Sequence, residues 1–161
     1  MKKKHNSQLK VIDAFKEQGI EIEIFNLDVS TKTSQEAADA VNCDIKQIAK
    51  SIVFFEGIQN KLIQIFVSGP NRVNLKSFKN QTNLSIEKAD ANYVRESTGF
   101  AIGGVAPLGH KNEPLYFFDN TLVDFNEVWC AAGTPNSLFK LKTKDLLKAV
   151  SYTHLTLPTK A

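Results

Sequence analysis

The segment Ser51-Ile-Val-Phe-Phe-Glu-Gly-Ile-Gln-Asn-Lys-Leu-Ile-Gln-Ile-Phe-Val67 decides the fold class of this chain. It contains two apolar runs, 51–55 and 62–67, which are rich in β-branched and aromatic residues. Runs of this kind on either side of a short polar segment with a glycine predict a β-hairpin. We therefore expect two paired strands joined by a turn over Glu56–Lys61.

Upstream of the hairpin, the sequence predicts a helix, a strand and two short helices. Residues 8–18 carry a helical apolar stripe that ends at Gly19, and Ile20-Glu-Ile-Glu-Ile24 alternates as a half-buried strand does. Thr33-Ser-Gln-Glu36 is a capping-box pattern, which marks the start of a helix. A further short helix is predicted to begin near Asp44.

Downstream of the hairpin, short helices and strands follow one another without a regular strand–helix–strand repeat. Helices are predicted over Asn74–Phe78, Asp90–Ser97 and Thr143–Val150, a short element over 81–86, and strands over Leu115–Phe118, Glu127–Cys130 and Leu138–Leu141. A doubly wound parallel sheet requires that repeat, whereas a mixed sheet does not. The predicted fold class is therefore α+β, with a mixed sheet and packed helices.

The length of 161 residues suits one domain, which we assign to residues 1–150. Residues 151–161 match no periodicity and look like a translated sequencing adapter. We treat these residues as a non-native tail and leave them out of the fold prediction, the alternative being a native disordered tail. In either case His154 is discounted as a functional residue.

The net charge of +3 arises at the N-terminus. Lysine and arginine number 20 and acidic residues 17, and Lys2, Lys3 and Lys4, in a terminus expected to fray, account for the whole difference. A protein that grips a long stretch of nucleic acid carries a basic face. The neutral body argues against a wide phosphate footprint. It leaves a small-molecule substrate, or contact with only the end of a nucleic acid.

Composition also indicates the compartment. No run of about 18 apolar residues exists, so no membrane span is predicted. The basic start leads into no apolar region of the kind that a secretory signal has. Cys43 and Cys130 have neither metal-ligand nor disulfide-framework spacing. We expect a reducing cytoplasm, with both thiols buried.

The segment Gly103-Gly-Val-Ala-Pro-Leu-Gly109 is the densest local anomaly, with three glycines and a proline. Glycine permits positive φ angles and close backbone approach, so such a loop can aim N–H groups at an oxygen. It lacks the lysine and the spacing of a phosphate-binding loop. A tight turn at a corner of the sheet explains the glycines equally well.

Several other polar residues could have either a structural or a functional role. Lys50 enters an apolar strand, where it either snorkels to solvent or stands at the mouth of a pocket. His110 follows the glycine-rich loop and is either an acid or base or a structural cap. Ser68 and Asn71 suit a turn, and Arg72 suits a surface salt bridge. No serine has a G-x-S-x-G context, and no cluster suggests a metal.

Four motifs in order carry a family resemblance: Gln47-Ile-Ala-Lys-Ser-Ile-Val-Phe54, Val67-Ser-Gly-Pro-Asn-Arg-Val-Asn-Leu75, Thr98-Gly-Phe-Ala-Ile-Gly-Gly-Val-Ala-Pro-Leu-Gly-His110 and Trp129-Cys-Ala-Ala-Gly-Thr-Pro-Asn136. The chain resembles the YbaK/EbsC-type aminoacyl-tRNA deacylases, which are related to the editing insertion domain of bacterial prolyl-tRNA synthetases. The resemblance covers about residues 8–150. It implies a mixed, barrel-like sheet surrounded by helices.

The resemblance also implies an activity, which is hydrolysis in trans of the ester that joins a wrong amino acid to the 3′ end of a tRNA. The site residues that it implies are Lys50 and Gly103 for catalysis and Ser68, Asn71, Arg72, Gly104, Val105, Ala106, Pro107, His110 and Gly133 for substrate binding. No cofactor or metal is expected. The implied partners are the aminoacyl-tRNA 3′ end and a prolyl-tRNA synthetase, without DNA or a membrane, for a monomer or weak dimer.

Two departures limit the resemblance. Many relatives have Asp where Pro70 and Asn74 stand, and His where Asn136 stands. No protein base is therefore assigned. We expect N–H groups of residues 103–106 to receive the carbonyl oxygen, Lys50 to hold a phosphate or ribose or to stabilise negative charge, and the terminal hydroxyl of the tRNA to help activate water.

Three rival functions stay open at this point. The first is a binding module that recognises the same tRNA end, or docks on a synthetase, without hydrolysis. The second is a regulatory or cell-envelope role, which the family name suggests and no residue supports directly. The third is a metallohydrolase, for which the sequence has no ligand cluster.

Overall fold

The computed structural model describes residues 6–28 and 33–150 and, as backbone, residues 152–155. The lysines at positions 2–4, which were predicted to fray, lie outside the described residues, as does most of the predicted tail. Five α-helices are present in the described chain: α1 (Asn6–Glu17), α2 (Ser34–Val41), α3 (Leu75–Thr82), α4 (Ala91–Thr98) and α5 (Thr143–Ala149). Single 3-10 turns cover Ile45–Gln47 and Asn120–Asp124.

The strands form two sheets, and the mixed α+β class is confirmed. They are β1 (Ile24–Asn26), β2 (Ala49–Glu56), β3 (Lys61–Ser68), β4 (Glu87–Lys88), β5 (Leu115–Asp119), β6 (Glu127–Ala131), β7 (Ser137–Lys142) and β8 (Tyr152–Leu155). One sheet has the order β1-β7-β6, and the other has the order β4-β2-β3-β5-β8. The sheets meet at an isolated parallel bridge between Ile48 and Trp129, and they do not close into a barrel.

The hairpin at the centre of the larger sheet is confirmed. β2 and β3 pair antiparallel in an unbroken register from Ala49–Ser68 to Glu56–Lys61. The Glu56 carboxylate accepts hydrogen bonds from the backbone N–H groups of Ile58 and Gln59, and it thereby supports the turn. Almost every β3 side chain is buried, because alternate residues of the strand point into two different apolar clusters, Leu62 and Phe66 into one and Ile63, Ile65 and Val67 into the other.

Local signals place several helix ends correctly. Thr33 and Glu36 form both hydrogen bonds of the predicted capping box. Asp90 caps α4, which ends at Gly99 with φ +83°. Gly19, with φ +77°, follows the end of α1. Each signal lies within four residues of the group that it binds, so the sequence alone suffices to find it.

Three short elements differ from the prediction. Only Ile24–Asn26 pairs as a strand, because β7 offers partners there and none to residues 20–23. The helix predicted near Asp44 is a single 3-10 turn, since the chain enters β2 at Ala49. Residues 81 and 82 end α3, and the next strand, β4, begins only at Glu87.

Part of the predicted tail is paired. The backbone of Tyr152–Leu155 forms β8, which pairs in parallel with β5 at the edge of the larger sheet. Edge pairing uses backbone N–H and C=O groups, so a segment without periodicity can still form it. The non-native origin of residues 151–161 stays a prediction.

The main core lies between the two sheets. Phe15 of α1 packs edge-on against Phe139 of β7, with ring centroids 5.3 Å apart. Phe66 and Phe118 extend the same cluster across β3 and β5. Cys130 is buried in this cluster as predicted, whereas Cys43 is only half-buried, and both thiols are free.

Candidate active site

A cavity of about 530 Å³ opens beside the exposed edge of β2. β4 pairs with β2 only at Phe54 and Phe55, and β6 reaches the same side only through the Ile48–Trp129 bridge. Among the described residues, no strand lies beside the stretch of β2 between these two contacts on this edge. Apolar side chains form most of the wall, both small ones and large ones: Ala37, Ile48, Ala49, Ile52, Val53, Ala89, Val94, Ala101, Ile102, Val105, Trp129, Ala131, Pro135 and Leu138.

The open edge of β2 directs backbone groups into this cavity. The N–H of Ala89 donates to the carbonyl of Val53 at 3.1 Å. In a strand, residues two positions apart direct their N–H and C=O groups to the same edge. The N–H and C=O of Ser51, which lines the cavity, therefore face the cavity side without a pairing strand.

Lys50 is the half-buried cation of the site. Its Nζ donates to the carbonyl oxygen of Gly69 at 3.0 Å, so the side chain is held against the turn that follows β3. Burial lowers the pKa of Lys50, and the nearby Arg72 and Lys88 lower it further, while Asp119 raises it. Lys50 lines the cavity, which favours the pocket reading over simple snorkelling.

The turn after β3 is built on a buried carboxylate that the sequence analysis did not select. Oδ2 of Asp119 accepts hydrogen bonds from the N–H of Ser68 at 3.0 Å and from Nδ2 of Asn71 at 2.9 Å. Its Oδ1 accepts from the N–H of Thr121 at 3.0 Å. Asp119 therefore holds the turn whose Gly69 carbonyl binds Lys50. Ser68 and Asn71 are buried and serve this turn.

Arg72 extends from the same turn into solvent. No carboxylate of the described residues lies within 4.0 Å of its guanidinium, so the predicted surface salt bridge is absent from that part of the chain. Its charge is close enough to Lys50 to lower the pKa of that lysine. Arg72 is thus an unpaired cation beside the cavity.

The glycine-rich loop forms one lip of the cavity. Gly103 lines it with φ +85°, a conformation that disfavours a side chain. At Gly104 a side chain is excluded by close packing, since a Cβ there would lie 2.5 Å from the carbonyl carbon of Thr134. The N–H of Gly104 donates to the carbonyl of Ala101, whereas those of Gly103 and Val105 have no acceptor within the described residues.

His110 lies behind this loop and does not line the cavity. Its Nε2 is 2.6 Å from Oε1 of Gln64, and its Nδ1 is 3.3 Å from the Tyr116 hydroxyl. Gln64 also donates to the carbonyl of Ala106, and Tyr116 donates to the carbonyl of Pro107 at 2.6 Å. Burial lowers the pKa of His110 to about 4, so the ring is neutral near pH 7. This buried network holds the loop from behind.

Gly133 lies away from the cavity lining. It has φ +99°, and a Cβ there would lie 2.9 Å from the carbonyl oxygen of Ser7 in α1. Asn136, where many family members have His, is exposed and donates from Nδ2 to the carbonyl of Leu27. Asn74 caps α3 by accepting from the N–H of Ser77. These positions serve turns and helix ends in the described chain.

The fold brings Lys50, Gly103 and Val105 together at one cavity. The other predicted site residues are not among those that line it: Ser68, Asn71, Arg72, Gly104, Ala106, Pro107, His110 and Gly133. Sequence reasoning missed Lys88, Ser51, Gln64 and Asp119. A polar Gln64 within an otherwise apolar strand was the one signal that could have been noticed.

Residues 28–149 match the family model of the aminoacyl-tRNA editing domain. The chain belongs to this family. The editing domain is 30% identical to the Bacillus subtilis (strain 168) protein YwhH over 126 residues, which cover 78% of this chain and 80% of that protein. The resemblance drawn from the four motifs is confirmed.

Two further relatives have descriptions that mention proline or its tRNA synthetase. The proline–tRNA ligase of Brachyspira hyodysenteriae (strain ATCC 49526 / WA1) is 29% identical over 92 residues, 56% of this chain but 16% of that ligase. A solved structure described as a candidate trans-editing enzyme for prolyl-tRNA synthetase is 36% identical, with a TM-score of 0.89. That match covers 96% of this chain and 98% of the other.

The described residues contain no group of three or more His, Cys, Asp or Glu side chains able to hold a metal ion. Among the helices of the described chain, none is long and apolar enough to cross a membrane.

Proposed function

We propose that this editing domain hydrolyses, in trans and in the cytoplasm, the ester between a wrong amino acid and the 3′ end of a tRNA. The observation that carries the proposal is the cavity, which is lined by the half-buried Lys50 and by Gly103 and Val105, whose N–H groups have no acceptor among the described residues. An aminoacyl ester is labile, so a catalyst needs only to orient the ester and stabilise the oxyanion.

The reaction is a simple hydrolysis. A water oxygen attacks the ester carbonyl carbon, and the carbonyl oxygen becomes negative as the bond forms. The N–H groups of Gly103 and Val105 are the donors available to this oxygen, and the Lys50 ammonium adds positive charge. The bond from the carbonyl carbon to the ribose oxygen then breaks. The water proton passes to that oxygen, which leaves a free amino acid and a tRNA hydroxyl.

No side chain of the site is suited to be the general base. His110 is neutral, but Gln64 and Tyr116 occupy both of its nitrogens behind the loop. Asp119 is fully buried, and backbone and amide donors surround it. We assign activation of the water to the neighbouring hydroxyl of the terminal ribose, which is within the substrate itself.

The remaining groups of the cavity fit the aminoacyl part of the substrate. The apolar wall suits an apolar side chain, and each methylene that it must accommodate or reject is worth about 1–3 kcal/mol. The Ser51 carbonyl faces the cavity as an acceptor for the α-ammonium group. Because two relatives are described in connection with proline, we propose tRNA for proline carrying a wrong amino acid as the substrate.

Replacement of Lys50 tests this function. We expect Lys50→Ala to lower kcat for a mischarged tRNA by roughly 10²–10³-fold, the loss typical of one oxyanion-stabilising group. Lys50→Arg should recover little, because the wider guanidinium does not fit the contact with Gly69. Lys61→Ala, at the far end of the hairpin, is the matched control and should retain full activity.

A panel of tRNAs mischarged with different amino acids supplies the assay. The proposal fails if Lys50→Ala hydrolyses them at the wild-type rate. Saturable binding across the panel without hydrolysis by the wild-type protein would instead establish the binding-module rival.

A further inference from the structure

Lys88 is a second lysine in the wall of the cavity, and no motif of the sequence selected it. It ends β4, directly opposite Phe54 of β2. Opposed residues of an antiparallel pair lie on the same face of the sheet, so Lys88 shares the face of Phe54. Lys50 is four residues before Phe54 on β2, and even spacing along a strand places it on that face too. At about 3.3 Å per residue the two lysines start roughly 13 Å apart along the strand. They therefore stand at opposite ends of the open edge.

The cations at this site lack anionic partners. Lys140 and Glu127 form the ion pair that the described residues contain, and neither Lys88 nor Arg72 has a carboxylate within 4.0 Å there. The adjacent Asp90 uses its carboxylate to cap α4. The charges of Arg72 and Lys88 both act on Lys50, so the three cations share one region.

This cluster contrasts with the rest of the chain, whose charges balance. Like charges gathered at one cavity repel each other in the free protein, and a bound polyanion removes that cost. Lys88 and Arg72 are exposed, so both can reach a ligand that lies across the mouth of the cavity. A nucleic acid whose end enters the cavity places its phosphates at this mouth.

We propose that Lys88, together with Arg72, binds backbone phosphates of the last nucleotides of the single-stranded tRNA 3′ end, on either side of the ester at Lys50. This inference rests on the proposed function and identifies the part of the substrate that positions the ester. Lys88 is a positioning residue, since it contacts the phosphate backbone and not the reacting atoms. Contact with a few phosphates at the mouth needs no basic face elsewhere, in agreement with the neutral body.

The salt dependence of binding gives the expected size of the effect. Each phosphate neutralised on a single strand contributes about 0.7 to the slope of log affinity against log salt concentration. The loss of one contact therefore lowers the slope by about 0.7. Between 50 and 200 mM salt, the affinity ratio of wild type to variant should shrink about 2.6-fold.

The probe is a short single-stranded RNA with the 3′-terminal sequence of the tRNA. It carries no amino acid and is labelled at its 5′ end. Fluorescence anisotropy measures its affinity for wild type, Lys88→Ala, Lys88→Arg and Arg72→Ala over a range of salt concentrations. Lys148→Ala removes an equal charge from an exposed position on α5 and serves as the matched control. In a second series, single methylphosphonate linkages remove the charge of one phosphate at a time.

We expect Lys88→Ala to lower the salt slope, Lys88→Arg to restore it, and Lys148→Ala to leave it unchanged. One methylphosphonate should weaken wild-type binding and have no further effect on Lys88→Ala. A Lys88→Ala slope equal to that of wild type or Lys148→Ala overturns the inference. Undetectable wild-type binding at 50 mM salt, or methylphosphonate losses of equal size in both proteins, does so too.

The outcome is independent of hydrolysis, because the probe carries no ester. Hydrolysis of mischarged tRNA without coupling between Lys88 and a phosphate would overturn this inference and leave the proposed function standing. Coupling without hydrolysis would support the inference and overturn the proposed function.

Discussion

Replacing Asp119 by asparagine tests whether this buried carboxylate organises the turn that holds Lys50. Asparagine has the same shape as aspartate but offers one oxygen and one NH₂ group. In the native turn both carboxylate oxygens accept, Oδ2 from Ser68 and Asn71 and Oδ1 from Thr121. Whichever way the amide is turned, an NH₂ group faces at least one backbone N–H.

The magnitude follows from these contacts. If the amide oxygen takes the Oδ2 position, the Thr121 N–H loses a hydrogen bond to a charged acceptor, worth about 1.5–3 kcal/mol, and faces a donor. We expect Asp119→Asn to lower the free energy of unfolding by about 2–4 kcal/mol. Asp119→Ala removes all three hydrogen bonds and leaves the N–H groups of Ser68 and Thr121 without an acceptor, so it should cost at least as much. A domain with about 5–15 kcal/mol of stability remains folded after the isosteric change.

Urea denaturation followed by tryptophan fluorescence measures the effect through the single Trp129. With a denaturant slope of roughly 2 kcal/mol per molar, the midpoint should fall by about 1–2 M. Asp124→Asn, at an exposed position at the end of the 3-10 turn that follows, is the matched control and should change stability by less than about 0.5 kcal/mol. A midpoint for Asp119→Asn equal to that of the control would refute the reasoning.

The same substitution has a consequence at Lys50. The charge of Asp119 raises the pKa of this lysine, so its removal should lower that pKa. If the ammonium form is the active one, the alkaline limit of activity moves to lower pH in Asp119→Asn. An unchanged alkaline limit would indicate that Lys50 does not act as an ammonium.

Two further predictions concern the glycine-rich loop and its support. Gly104→Ala should lower the free energy of unfolding by about 1–3 kcal/mol in the urea assay, because the new Cβ meets rigid backbone of Thr134. The control Gly57→Ala, whose Cβ meets only a ring atom at 3.5 Å, should be near neutral. Equal stabilities of the two variants would contradict the packing argument. His110, with a native pKa of about 4 against 6.5 when unfolded, is protonated first in the unfolded chain. The free energy of unfolding should therefore fall by roughly 3 kcal/mol as the pH drops from 6.5 to 4. In denaturation measured across that range, His110→Gln should show a weaker pH dependence than the wild type. An unchanged pH dependence in this variant would refute the prediction.

The sequence by itself determined the hairpin, the capping box of α2 and the ends of α4. In each case the deciding groups lie within one turn or one strand pair, so periodic burial and local hydrogen bonds specify the element. The family motifs further identified Lys50 and Gly103, which the structure places at one cavity. These features are visible from sequence because each depends on a short window of residues.

Only the tertiary structure decided what surrounds these residues. Asp119 binds Ser68 across 51 positions of the chain, and Gln64 meets His110 across 46. The cavity exists because β4 covers only part of β2, and Lys88 lines it because of that same pairing. Such contacts depend on strand order and register, which the whole chain sets through long-range packing. No local pattern around Asp119 or Lys88 could therefore have shown these contacts, and the polar Gln64 within an apolar strand could not have shown its partner.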